Sequence, residues 1–191
     1  MKHCTRRGFL SKGVMTVAGG VMSQTITQSE PHSHLAAKRP VFVSTWNFGQ
    51  TANEASLRKF EAGGSILDAV EEGIRLTESD QSNASVGDGG KPNAAGKVQL
   101  DACIMHGPGA KAGSVGGIED IAHPISVARA VMEKTPHVML VGEGAKKFAL
   151  EQGFTAKNLL TSKQRKEWRN WRREKRKMEA GKDNHDTIAF V

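Results

Sequence analysis

Features that staple or anchor a chain are scarce in these 191 residues. There are only two cysteines, Cys4 and Cys103. Cys4 falls in a leader-like N-terminus, so no disulfide is expected within the mature chain, and cysteine usage carries no information about export. Cys103 sits in the apolar run LDACIM with no CxxC and no histidine beside it. That context disfavours a metal or catalytic role and favours packing as a small hydrophobe. Long apolar runs are missing too: GVMTVAGGVMS, residues 13–23, has about half the residues a membrane-crossing helix needs. Internal repeats are absent. The Gly-rich stretches SVGDGGKP and GSVGG do not supply G-x-x-x-x-G-K-[ST], and Pro92 follows Gly90-Lys91 where a hydroxyl would be required. A nucleotide site is thereby disfavoured, and tight turns bringing backbone close to another segment are expected instead. His32 and His34 lack a third ligand and read as solvated polar residues, so no metal is expected.

What is present is a soluble, globular composition, 38% hydrophobic, with a formal charge of +7. The charge is unevenly spread. Residues 1–29 carry +4, residues 162–183 carry +6 from ten Lys and Arg against four acids, and the remainder is −3. The basic excess is therefore confined to two peripheral segments.

TRRGFLSK, residues 5–12, places paired arginines ahead of the uncharged run. A charged start followed by a short Gly-containing apolar segment reads as a cleaved signal. The adjacent arginines resemble the twin-arginine type, which would make the protein periplasmic or secreted. A basic amphipathic N-terminal helix is the competing reading, weakened by Gly19-Gly20. Residues 1–30 are assigned to this signal and 31–40 to a linker.

From there, VFVSTW, residues 41–46, has the β-branched and aromatic content of a buried strand. TANEASLRKFEAGG predicts a helix with Thr51 and Glu54 at capping-box spacing and Gly63-Gly64 as its stop. SILDAVEEGIRLTE predicts a second, capped by Ser65 and Asp68, with Ile66, Val70 and Ile74 on one face. Residues 83–96 are turn-forming. Val98, Leu100, Ala102 and Ile104 alternate with Gln99, Asp101 and Cys103, the pattern of a half-buried strand. HPISVARAVMEKT places Pro124 at a first helical position and predicts a helix to about Lys134. HVMLV reads as a strand, and GAKKFALEQG as a helix closed by Gly153. The interleaving implies an α/β or α+β chain.

SKQRKEWRNWRREKRKMEA predicts a charged helix with Trp168 and Trp171 three apart. Basic residues interleaved with tryptophan can contact nucleic acid or an anionic membrane. The reading preferred here is a solvated, mobile helix or linker that uses its tryptophans to touch the domain, because outside the leader the rest of the chain has no basic excess.

The final residues are NHDTIAFV. A threonine hydroxyl is a poor nucleophile unless a base is held at hydrogen-bond range, and one such base is the residue's own α-amino group. That amine exists only if the peptide bond before Thr187 has been cut. Asp186 offers a carboxylate able to deprotonate the hydroxyl for attack on its own carbonyl. A surface loop entering a strand would give the same letters.

Taken together, STW (residues 44–46), GGSILDAVEEG, SVGDGG, LDACIM, GSVGGIEDIAHPISVARAVMEKTPHVMLVGEGAKKFALEQGF and NHDTI strongly resemble the glycosylasparaginase family of N-terminal nucleophile hydrolases. The resemblance runs in order from residue 41 to residue 191. It implies a four-layer αββα sandwich and a precursor that cuts itself between Asp186 and Thr187. Thr187 would then be the nucleophile and, through its freed amine, its own base. Asp186 would drive an N-to-O acyl shift followed by hydrolysis, and His185 would help orient the scissile bond. Trp46 matches a substrate-pocket tryptophan, Phe48 would help confine the scissile segment, and Ser85 matches a serine that hydrogen-bonds near the new amine. The implied substrate is the amide joining asparagine to the sugar of N-glycan remnants, a glycoasparagine. No cofactor, metal, nucleic acid or stable membrane span is implied, and the units would pair as a homodimer of two-subunit (αβ) molecules.

On that resemblance, residues 41–161 form the first-subunit core, 162–186 the basic mobile segment and processing site, and 187–191 the start of the second subunit. Because four residues follow Thr187, the second subunit's oxyanion donors and substrate-holding groups would be missing. The chain alone is therefore expected neither to fold stably nor to turn over substrate. Two departures stand out: Asp88 occupies a position where the family usually has an aromatic residue, and Ile-Ala-Phe follows the threonine. Isoaspartyl peptidases and plant-type asparaginases share the fold but generally place glycine before the threonine, where this chain has His185-Asp186. A non-catalytic exported remnant is the reading outside enzymes.

Overall fold

The computed structural model describes residues 40–180. Their elements run α1 (Gly49–Glu61), α2 (Ile66–Ser79), β1 (Gln99–His106), β2 (Lys111–Glu119), α3 (Pro124–Lys134), β3 (Met139–Val141), α4 (Gly142–Glu151) and α5 (Ser162–Ala180). The sheet order is β1-β2-β3, with β1 antiparallel and β3 parallel to β2. This is a mixed α/β arrangement, with one small sheet and its helices.

Alternation along β1 works as its letters suggest. Leu100 and Ile104 face inward and join Val98, Val115, Ile118, Ile125, Val131, Ala145 and Leu159 in one buried cluster fed by α3 and α4. Apolar burial of this kind, at about 25 cal/mol per Å², is what holds helices on a sheet face. The opposite face is open: Met105 is 77% exposed, and Cys103, Met139 and Val141 are exposed with it. Cys103 is thus not packed as a small hydrophobe, because the strand's two-residue period turns it away from Leu100 and Ile104.

The GSVGG stretch is a strand rather than a turn, lying within β2. Its glycines serve packing. A Cβ on Gly113 would run into the Ala128 carbonyl, so the missing side chain lets α3 lie close against the sheet. Between the pairs Leu100↔Ile118 and Ala102↔Val115 the register slips by one residue, a bulge absorbed by Gly117 at φ 59°. The Gly117 N–H donates to Asp101 Oδ1 at 2.7 Å.

Helix boundaries follow local chemistry. At α2 the Ser65 hydroxyl accepts from Asp68 N–H (3.1 Å) while Ser65 N–H donates to Asp68 Oδ2 (2.9 Å), the reciprocal box its letters encode. The Ser65 hydroxyl, then Arg129, hold the Asp68 carboxyl below the usual range. α1 ends at the glycine pair as expected, with Gly63 at φ 90°. Its start differs. Thr51 and Glu54 lie inside the helix, Phe48 is the N-cap without a side-chain bond, and Glu54 instead accepts from Gln50 at 3.2 Å. The largest difference is residues 41–46, which form no strand: Val41 is 82% and Val43 86% exposed. β-forming residues make a strand only beside a partner that takes their backbone hydrogen bonds, and no described strand lies alongside.

Candidate active-site cleft

Two loops and the open sheet face meet at a cleft of about 550 Å³. Its walls include Trp46, Phe48, Ser85, Asp101 and Cys103, with the Glu78 and Ile125 region at its base. Three of the six residues nominated from sequence, Trp46, Phe48 and Ser85, are thereby brought together from segments up to 39 positions apart. The other three, His185, Asp186 and Thr187, lie outside the described residues.

The aromatic wall is built by a turn at the start of α1. Gly49 N–H donates to the Trp46 carbonyl at 2.9 Å, and Ser44 Oγ donates to Asn53 Oδ1 at 2.5 Å, folding the STWNFG loop onto its own helix. A Cβ on Gly49 would collide with Ser44, so the loop closes only over glycine. The Trp46 and Phe48 rings stack with centroids 6.5 Å apart and planes 8° apart. Trp46 remains 68% exposed. A stacked, exposed aromatic pair is a surface that a flat or sugar-bearing ligand can cover.

The opposite wall is the SVGDGG turn. Gly87 adopts φ 62°, and a Cβ there would meet the Glu78 backbone. This is the close backbone approach expected of the segment. Asp88 N–H donates to the Glu78 carbonyl at 2.7 Å, Gly89 N–H to the Leu159 carbonyl at 3.0 Å, and Ser85 N–H to Asn83 Oδ1 at 3.0 Å. The result is an exposed Ser85 on a turn clasped at both ends. Asp88 does not line the cleft. It is buried, and its Oδ2 accepts from Gln81 Nε2 and Lys157 Nζ, each at 2.8 Å. Burial pushes its carboxyl up, but the hydrogen bonds from Gln81 and Lys157 and the Lys157 charge outweigh that and hold it below its ordinary value. Asp88 thus fastens the turn to the segment before α5.

Sequence reasoning missed Glu78. It is 2% exposed, and its carboxylate accepts from Ile125 N–H at 3.1 Å and lies 3.3 Å from His123 Nδ1. Burial pushes its carboxyl up, against the opposing pull of His123 and the Ile125 amide. A signal for it existed. α3 begins His123-Pro124 with no side-chain cap, so its free first-turn N–H groups needed an acceptor from elsewhere in the chain. A second network ties the same helices: Arg129 Nη1 donates to Asp68 (2.6 Å) and Glu71 (2.7 Å), and Ser126 Oγ donates to Glu71. Among the described residues no group of His, Cys, Asp and Glu is arranged to hold a metal ion, and no helix is long and apolar enough to cross a membrane.

Comparison with known proteins bears on this geometry. The asparaginase family profile matches residues 15–189. An N(4)-(beta-N-acetylglucosaminyl)-L-asparaginase of Elizabethkingia miricola is 47% identical over 97% of this chain and 55% of its own length. The enzyme of that name from Rattus norvegicus is 44% identical over 69% of this chain and 38% of its own. A plant-type L-asparaginase of Pyrococcus furiosus is 47% identical over 64% and 39%. The chain spans about half the length, or less, of these curated relatives. With the profile covering nearly all of it, the chain belongs to the asparaginase family, and within that family it resembles the glycosylasparaginases over almost its whole length.

Proposed function

We propose that this chain supplies the N-terminal part of an amidase that hydrolyses the bond between N-acetylglucosamine and asparagine in glycoasparagines, after cutting itself between Asp186 and Thr187. The observation that carries the reading is the cleft, where Trp46, Phe48 and Ser85 converge. In the first step the Asp186 carboxylate takes the Thr187 hydroxyl proton, and Oγ attacks the Asp186 carbonyl. The peptide C–N bond breaks, the nitrogen takes up a proton as the threonine amine, and water then hydrolyses the ester. His185 orients the scissile bond, Phe48 confines the segment and Ser85 hydrogen-bonds near the new amine.

In turnover the freed amine accepts the Thr187 hydroxyl proton while Oγ attacks the substrate's side-chain amide carbon. The amino sugar leaves with that proton, and water releases aspartate from the acyl-enzyme. Trp46 supplies the wall against which substrate lies. No metal or cofactor takes part. The open sheet face with Met105, Met139 and Val141 supports a second sheet packing there, giving a four-layer αββα sandwich. The same proposal makes the enzyme a homodimer of αβ units, exported through the twin-arginine leader to the periplasm or beyond, and leaves the chain inactive without the region that completes the relatives' length.

The test is aspartate release from GlcNAc-Asn by the protein extended to the length of its relatives. Activity abolished by Thr187→Ala, together with an uncleaved junction, is the expected result; activity surviving that change removes Thr187 from its role. The similarity to plant-type asparaginases motivates a second reading, an isoaspartyl dipeptidase or asparaginase. His185-Asp186 before the threonine argues against it, and faster hydrolysis of isoaspartyl dipeptides than of GlcNAc-Asn would establish it.

A further inference from the structure

The basic helix α5 has no part in the cleft. Between Ser162 and Ala180 it carries nine Lys and Arg against three Glu. It is also docked on the domain. Gln164 is 3% exposed, and Trp168 Nε1 donates to the Ala94 carbonyl at 3.3 Å, with the indole packed over Gly96. Gln164, Trp168 and Trp171 line a hollow against the turn at residues 91–94. The helix therefore touches the domain through its tryptophans, as its sequence suggested, and this contact fixes which residues face outward.

On the flank beside that contact lie Arg165, Arg169, Arg172 and Arg176, at spacings of four, three and four. Such spacing keeps side chains on one face. At 1.5 Å per residue the row is about 16 Å long. All four are exposed. Among the described residues no carboxylate forms an ion pair with any of them. Arg172 also lies over the Trp168 ring at 5.2 Å from its centroid, which steadies the middle of the row. Four guanidinium groups along one helix face, one of them steadied by an indole, match regularly spaced sulfate or phosphate groups.

Two features choose among linear polyanions. Insertion into a membrane requires an apolar face, and apart from Trp168, Trp171, Met178 and the terminal Ala180 this helix is polar throughout. Single-stranded nucleic acid binds through bases stacked on free aromatic faces. Here Trp168 is committed to the domain and to Arg172, and Trp171, 44% exposed with Lys175 over its ring at 5.5 Å, stands without a second open ring beside it among the described residues to continue a base stack. We infer that the arginine row of α5 binds a sulfated glycan chain, recruiting the protein to polyanionic polysaccharide. The choice of a glycan over other polyanions rests on the proposed glycoasparagine amidase activity.

Heparin serves as the probe, with the protein extended to the length of its relatives, its Arg165→Gln/Arg169→Gln/Arg172→Gln/Arg176→Gln variant, and a variant in which α5 keeps its composition but the row is permuted. Heparin should bind in a salt-dependent manner and neutral dextran should not. The quadruple variant should bind about tenfold or more weakly, with the slope of log affinity against log salt reduced by about three to four, since each charge contact contributes roughly 0.9. The permuted variant should lose most of the affinity as well. Equal binding by the permuted or quadruple variant, or tighter binding at equal salt to single-stranded DNA or to phosphatidylserine vesicles, overturns the inference. GlcNAc-Asn hydrolysis by the extended protein should be unchanged by the quadruple substitution, so that failure of the amidase reading shows in that assay and failure of the glycan site in the binding assay.

Discussion

The Ile125 amide donates to the Glu78 carboxylate at 3.1 Å, so the start of α3 is capped by a side chain from the last turn of α2, 47 residues earlier. Removing that acceptor leaves a buried N–H without a partner and deprives His123 of its own. Glu78→Ala should destabilise the extended protein by about 1–3 kcal/mol, measured by urea denaturation, with Glu78→Gln avoiding most of that loss because its amide oxygen can still accept from the Ile125 N–H. An Ala variant as stable as its parent would mean that water replaces the carboxylate.

The same residue makes stability depend on pH. Burial raises the Glu78 carboxyl above its unfolded value of 4.5, so between the two values the folded state holds more protons than the unfolded one. Its contribution is fully present below about pH 4.5 and is lost as pH rises through the folded value. The stability of the parent relative to Glu78→Gln should therefore fall on going from pH 4 to pH 8. A difference that is flat or rises across that window would contradict the raised carboxyl.

Gly87 stands at φ 62° with the Glu78 backbone where a side chain would go. Gly87→Ala combines left-handed strain with a backbone clash, together about 2 kcal/mol or more. Because Ser85 sits two residues away, whatever folded fraction survives at low temperature should show a reduced kcat. Thermal melting and steady-state assays of the extended protein separate the two effects.

Trp46 is 68% exposed, so its indole adds little to folding. Trp46→Ala should change unfolding free energy by no more than about 0.5 kcal/mol, yet lower kcat/KM for GlcNAc-Asn by about tenfold, near 1.4 kcal/mol of lost transition-state binding. Equal kinetics in the variant would remove the aromatic wall from the substrate site.

Asp88→Asn severs the ion pair to Lys157, a residue half in solvent, so the loss should be modest, about 1 kcal/mol. Because the folded carboxyl lies below its unfolded value of 3.8, its contribution is present above that pH and fades as pH falls through the folded value. The gap between parent and variant should close in acid, as followed by denaturation between pH 6 and pH 2.5.

Local signals were legible in the letters. The Ser65–Asp68 box, the Pro124 start of α3, the Gly63 and Gly153 stops and the alternation in β1 all depend on residues within a few positions of one another. The sequence readings failed where a distant partner decides the outcome. Residues 41–46 have strand-forming side chains but no neighbouring strand among the described residues, and β2 is a strand despite its glycines because α3 needs the room they leave. Cys103 followed its strand's period onto the open face rather than its own hydrophobicity. The aromatic wall and Ser85 were nominated by motif resemblance, whereas their meeting at one cleft depends on Gly87 clasping α2. Glu78 went unnoticed because its partners, His123 and Ile125, are 45 and 47 residues away.

The Ser85 wall of the cleft and the start of α3 both rest on α2. Its last turn receives the Asp88 amide through the Glu78 carbonyl on one side and the start of α3 through the Glu78 carboxylate on the other. When that helix tilts or slides, the Ser85 turn and the Pro124 end of α3 travel with it as a single block. The gap between them is thereby insulated from the commonest slow motion of a small helical layer, and the dimension most open to adjustment is the distance from this block to the stacked rings of Trp46 and Phe48.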